Sequence, residues 1–442
     1  MSSWWRTGWN AGWIQDWISA GADGAGRAGA GGAGTALKRG AKHWSQARAA
    51  LLVGSLLLWA PLARANPAPS QGLGVWFTTV DSQVLFNPEE TETALAFLEH
   101  NGFRRAAVPL YTGGYLYWPA APEHNGLGVP LDPRLGSPTR TRELLTALGQ
   151  RGLERVGWLE FGLMAPADAP WLQGRPDLLL QDSQGSSLWQ ESPGLDRAWL
   201  NPAVPAVQDA LVNLVVDACT RLPLDLIQLD DHLGYPVRFG YDPTTLALWQ
   251  QTAQGAANPR PDPSDSAWID WRSQQVTALL ARIRTAMASQ CPRVKLSVAP
   301  NPQDFSKANY LADWSQWIQQ GLVDELVVQI YRNDPARLAW ELAQPSLQAA
   351  RRQVPVRLGL LAGLKHQPQD PNVLKRQLAM ANGAGIAGID LFFYESARRH
   401  FPAPSQSTIP TLPATGWAAK TRVDATPPRP AGGPGINGGG PQ

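Results

Sequence analysis

Cysteine is almost missing from this chain, with two in 442 residues, and charged side chains make up only 17% of it. Cys219 and Cys291 give neither the count nor the spacing of a zinc site, and the six histidines, at 43, 100, 124, 232, 366 and 400, form no ligand pattern. No metal and no cofactor is therefore expected, a carboxylate-bound calcium in a long loop aside. A G-x-S-x-G turn is absent, which argues against a serine esterase. No Gly-rich phosphate turn follows a strand, which argues against an open dinucleotide-binding sheet. Basic clusters are lacking as well, so nucleic acid is not an expected partner.

What is present is tryptophan, 20 in all, within a chain that is 44% hydrophobic and long enough for a large core. Tryptophan is the side chain on which sugar rings stack, although most copies are expected in the core. Seven of them precede residue 66, in a segment that reads as a leader. There Lys42 and Arg48 flank an apolar run, Ala49 to Ala60, that ends in Ala63-Arg64-Ala65, the pattern of an export signal cleaved before Asn66. The run is too short for a comfortable membrane span, so no stable span is expected in the mature form. Removing residues 1–65 leaves 31 basic and 34 acidic residues, a net charge of −3. The expected organisation is a leader over 1–65, one domain over 66–402 and a disordered Pro- and Gly-rich tail over 403–442.

Within the domain, eight strand-like runs alternate with stretches of helical periodicity: 73–80, 103–108, 154–161, 224–230, 294–299, 326–331, 356–361 and 386–393. Eight alternations predict an α/β protein with a closed (β/α)8 barrel. Helices are legible from Pro88, over 140–151, over 205–220 and over 266–289. Long loops follow the second, third and fourth runs and would emerge at the carboxyl-terminal face, where barrel enzymes build their sites. Cys219 and Cys291 precede neighbouring strands at the other rim, and both a disulfide and two buried thiols fit that placement.

The most informative stretch is Leu224 to His232, an apolar run that ends in Asp230-Asp231-His232. Burying two acids is costly unless pairing or chemistry compensates. Alternation places Gln228 and Asp230 toward the barrel interior and sends Asp231 to the other face. General acid–base chemistry needs a carboxylic acid and a second carboxylate, and Asp230 is the first choice for one of them. Its candidate partners are Glu160, which shares a strand face with Trp158, and Glu395, the better placed across the barrel. Asp231 is a further candidate, for direct involvement or for orienting a loop. Asp81, Asn301, Gln329 and Tyr331 stand at other strand ends as hydroxyl binders, and Trp76, Tyr111, Tyr115, Trp118 and Trp158 as pocket aromatics. His232 is placed to tune Asp231.

Several blocks together carry a family resemblance: Gly74 to Ser82, Trp199-Leu200-Asn201-Pro202, Asp225 to His232, Leu296 to Asn301, Asp313-Trp314, Gly321 to Asp324 and Gln329-Ile330-Tyr331. In this order, over about residues 72–396, the chain resembles the family 10-like glycosyl hydrolases. The resemblance implies a barrel in exported bacterial proteins that act on glycans, some relatives being associated with peptidoglycan glycan strands. His232 stands where members often have an aromatic residue, and Leu226-Ile227 where a Gly-Ile pair is usual, so subsite details do not transfer. The expected function is an exported glycoside hydrolase of a bacterial envelope polysaccharide, located in the periplasm, cell envelope or outside the cell. The alternative is a catalytically silent barrel that binds carbohydrate.

Overall fold

The eight runs are realised as strands in a computed structural model that describes residues 72–192, 194–364 and 367–404. The expected leader and nearly all of the expected tail lie outside the described residues, and the strands all belong to the unit that ends at Ala403. They are β1 (Leu73–Trp76), β2 (Phe103–Thr112), β3 (Glu154–Leu159), β4 (Leu226–Asp230), β5 (Lys295–Ala299), β6 (Glu325–Gln329), β7 (Val356–Leu361) and β8 (Gly388–Phe392). Each pairs in parallel with its sequence neighbours, and β1 pairs with both β8 and β2. The pairing of β1 with β8 closes the barrel and leaves no open edge.

The sequence sets helix starts through cap chemistry. Asn87 accepts from Glu89 N at the head of the helix Pro88–His100, and Asp370 caps Pro371–Gly383 in the same way, each with proline at the first helical position. The helices Arg140–Gln150, Pro205–Arg221 and Ser266–Gln290 follow β2, β3 and β4. Outward strand residues such as Ile227, Leu229 and Val328 pack in the main apolar core, while Leu226, Val327, Trp76, Trp158 and Phe392 form a second cluster inside the barrel. The run 103–108 stops short of the observed strand by four residues, Pro109 to Thr112. Proline inside a strand argues for its end, and here the ladder accommodates it through a register shift between Pro109 and Tyr111.

The three long loops have structure of their own. The first folds back as Tyr115–Leu116 against Tyr111 and Thr112. In the second, Met164–Pro166, Trp189–Ser192 and Leu195–Trp199 form a small antiparallel sheet. The third carries Pro243–Gln250 and Ala253–Ala257, and Asn201 reaches across to it, donating to Asp242 at 2.8 Å. All three loops leave from the carboxyl-terminal ends of the strands.

The amino-terminal end of the barrel is filled by charge rather than by hydrocarbon. Arg105 bonds Glu325 at 2.8 and 3.1 Å, and Arg357 bonds Asp390 at 2.9 and 2.7 Å. Burial pushes the Asp390 carboxyl up, but Arg105 and Arg357 outweigh it and hold the group below the usual carboxylate range. Gly74 is required beside this cluster, because a Cβ there would lie 1.9 Å from Asp390 Oδ1.

Of the two cysteine readings, the disulfide is the one observed: Cys219 and Cys291 are bonded, with Cα atoms 6.0 Å apart. The bond ties Pro205–Arg221 to the end of Ser266–Gln290 across 72 residues of sequence. Closing a loop of that size stabilises the fold by roughly 2–4 kcal/mol. A Cys219→Ser, Cys291→Ser variant is expected to melt roughly 5 °C lower in a calorimetric scan. An unchanged midpoint would show that the cross-link contributes nothing.

Candidate active site

Where β3 and β4 end, their chains are clamped together. Gly162 has φ +51° and lies so close to the next loop that a Cβ would meet the His232 carbonyl oxygen at 2.7 Å. Leu163 N donates to that same oxygen at 2.8 Å, and His232 Nδ1 lies 2.9 Å from the carbonyl oxygen of Glu160. A ring nitrogen facing a carbonyl carries the proton, so His232 acts as a donor that fixes the Glu160 backbone. The rings of Phe161 and Trp199 enclose it.

This clamp brings three acids into one place. Asp230 accepts from Trp158 Nε1 at 2.8 Å, from Asp231 N at 2.9 Å, and from Gln329 Nε2. Asp231 accepts from Asn301 Nδ2 at 2.8 Å, and Glu160 from Thr112 Oγ1 at 2.6 Å. None of the three acids is more than 8% exposed. Glu160 Oε1, Asp231 Oδ1 and Asn301 Oδ1 are buried without a hydrogen-bond partner among the described residues. Buried polar atoms are normally paired, and of these three Asp231 Oδ1 has His232 Nδ1 at 3.4 Å.

The electrostatics follow from this packing. Burial, opposed by the Thr112 bond and the Arg197 charge and reinforced by Asp231, pushes Glu160 up to about 8. Burial and then the charges of Asp231 and Glu160 raise Asp230 well above its ordinary range. N–H donors meet Asp230 here, and no arginine among the described residues is bonded to it. That is the reverse of Asp390 at the other end of the barrel.

The expected separation of Asp230 from Asp231 is corrected. The strand ends at Asp230, which caps a 3-10 turn over Asp231–Leu233, so the two-residue alternation stops there and both carboxyls enter the same mouth. Glu395 is not brought to Asp230. The chain turns into the helix Tyr394–Ala397 directly after the last strand, and Glu395 is taken by Ser82 and by Arg398, whose Nη1 lies 3.3 Å away. With Asp81, Glu395 lines a separate cavity of about 410 Å³.

The aromatic candidates divide. Tyr111 is fully buried against Phe161, and Trp118 donates from the core to Asp217 on the helix Pro205–Arg221 at 2.6 Å, so neither offers a ring face to a sugar. Trp76 and Trp158 lie inside the barrel, with their N–H groups on Gln228 and Asp230, and form the floor beneath the acids. Tyr331 joins Phe392 in that inner cluster at 5.7 Å between rings. Tyr115 is half-buried against the core. Thr112 and Arg197 join the site without having stood out in the sequence. Thr112 is legible only by carrying the second strand past Pro109, and Arg197 only once the small antiparallel sheet is known.

Comparison with known proteins gives the family. Residues 73–379 match the family described as "Glycosyl hydrolase-like 10". The chain belongs to that family. Glycosyl hydrolase-like 10 membership places it among proteins of glycosidase type, in accord with the resemblance read from its strand ends. It is similar to "Glycosyl hydrolase DigH" of Escherichia coli strain K12, with 27% identity over 158 residues, 32% of this chain and 34% of the relative. It is also similar to "Glycosyl hydrolase YngK" of Bacillus subtilis strain 168, with 26% identity over 31% of this chain and 28% of the relative. The matched region spans about a third of the length of these curated relatives. Among solved structures, the PgaB (BpsB) glycoside hydrolase domain from Bordetella bronchiseptica superposes with a TM-score of 0.57 at 15% identity, covering 76% of this chain and 96% of that one. Alpha-L-fucosidase isoenzyme 2 from Paenibacillus thiaminolyticus gives 0.53 at 15% identity, covering 77% of this chain and 47% of the other. These two likenesses concern the fold of the family member, a (β/α)8 barrel.

The raised Glu160 has a consequence for stability. Its folded value, about 8, lies above the ordinary 4.5, so its contribution is full below pH 4.5 and is lost as pH rises toward 8. The melting temperature is expected to fall over that interval, and Glu160→Gln to reduce the fall. Identical slopes for variant and parent would show that Glu160 is not held neutral by the fold.

Proposed function

We propose that this chain is an exported glycoside hydrolase that cleaves glycosidic bonds in a bacterial envelope polysaccharide, peptidoglycan glycan strands being the first candidate. The observation that carries the reading is the group of three buried acids, Glu160, Asp230 and Asp231, at the mouth of the barrel, with Glu160 pushed up to about 8. A carboxyl of that acidity is protonated at neutral pH and suits a general acid for the leaving oxygen. Burial and the charge of Asp231 hold Asp230 raised, the N–H groups of Asp231 and Trp158 oppose them, and a neutral Glu160 adds no repulsion of its own. Asp230, in the same mouth as Glu160, is the second carboxyl of the pair and serves as base or nucleophile in its ionised form. Asp231, held by Asn301, positions the pair. The Cys219–Cys291 bond supports an oxidising compartment, in line with the leader read in the sequence.

A second reading, a silent carbohydrate-binding barrel, is favoured by one observation. The acids lie on the ends of neighbouring strands, while Tyr331 and Phe392 from the ends of β6 and β8 contribute rings, not carboxylates, to the inner cluster.

Purified protein is to be incubated with peptidoglycan strands with and without stem peptides, and the release of reducing ends measured. Asp230→Asn and Glu160→Gln are each expected to lower the rate by about 10²-fold or more. The parent rate is expected to decline as pH rises past about 8, where Glu160 loses its proton. Glycan retained but never cleaved at any pH favours the binding barrel, and wild-type rates in both variants rule out this acid pair.

A further inference from the structure

A second cavity, of about 460 Å³, opens beside the barrel between β6 and the helices that follow β5 and β6. Its size falls within the range of small-molecule sites. On its rim stands Trp340, 61% exposed on the helix Pro335–Leu342. Phe305 lines the same space, with Asp304, Arg337 and Gln344 supplying polar groups. A large aromatic face turned to solvent beside hydrogen-bonding side chains suits a ligand with both apolar faces and hydroxyls.

The cavity adjoins the acid cluster through shared elements. On β6, Gln329 points inward to Asp230, while Val328 and the following Ile330 line the cavity. Trp314 forms part of the wall and donates to the carbonyl oxygen of Asn301 at 3.0 Å, the residue whose side chain holds Asp231. Phe305 packs against the inner aromatic cluster of the barrel. One strand end and one ring therefore separate the two places.

We propose that Trp340 and this cavity form an accessory subsite for the same glycan, in which a sugar ring outside the cleavage point stacks on the indole and its hydroxyls meet Asp304, Arg337 and Gln344. The assignment rests on the proposed glycan function for the identity of the ligand, but not on catalysis.

The test uses the full chain carrying Asp230→Asn, so that the probe is not consumed, and measures retention on immobilised peptidoglycan glycan strands stripped of stem peptides. Adding Trp340→Ala is expected to weaken retention about tenfold without changing the melting temperature, since the ring is exposed. Trp340→Tyr, which keeps an aromatic face, is expected to restore most of the loss. Retention unaffected by Trp340→Ala, or no retention by the Asp230→Asn parent, overturns the subsite. Reducing ends released by the wild-type chain are scored separately. Cleavage with retention independent of Trp340 removes this inference alone, whereas retention that depends on Trp340 without cleavage removes the hydrolase reading and leaves the subsite standing.

Discussion

A carboxyl buried inside a closed barrel must be met by a cation, by hydrogen-bond donors or by a proton, and this molecule uses different answers at its two ends. At the amino-terminal end Arg105 bonds Glu325 and Arg357 bonds Asp390, and the two guanidinium groups hold the Asp390 carboxyl below the usual carboxylate range. At the carboxyl-terminal end Glu160, Asp230 and Asp231 have neutral donors and one another. No guanidinium among the described residues is bonded to them, and burial pushes Glu160 and Asp230 toward the protonated form. Chemistry can use that proton; a structural ion pair has none to give.

The clamp between the third and fourth strands makes this arrangement rigid. Gly162 lets the two loops touch, His232 holds the Glu160 backbone, and Trp158 forms the floor while donating to Asp230. His232 has a physical role in that clamp. The imidazole keeps ring contacts with Phe161 and Trp199, and adds a hydrogen bond that an aromatic hydrocarbon would lack.

Much of the fold is legible because barrel strands carry a period of two and their helices one of 3.6, both visible in the hydrophobic pattern. The strand β7 coincides with its run at both ends, and β4 ends at Asp230 as expected. Pro109 hides the end of β2, and with it Thr112, which donates to the Glu160 carboxyl. Asp231 departs from the alternation for a related reason: a period holds only inside a strand, and the turn begins at that residue. The order of strands around the barrel favours Glu395, but that order fixes neighbours and not where a side chain turns once the strand has ended. Arg398, three residues on, decides that. The burial of Tyr111 and Trp118 is equally out of reach, since composition does not distinguish a ring that covers a core from one that faces a ligand.

The sequence by itself determined the alternation of strands and helices, the closed barrel and the presence of acids at its strand ends, because these depend on periodicity and on the cost of burying charge. Only the tertiary structure decided which acids meet, which are neutralised by arginine, and that Cys219 and Cys291 are joined. Those outcomes depend on distances between residues far apart in the chain, and a one-dimensional pattern does not contain them.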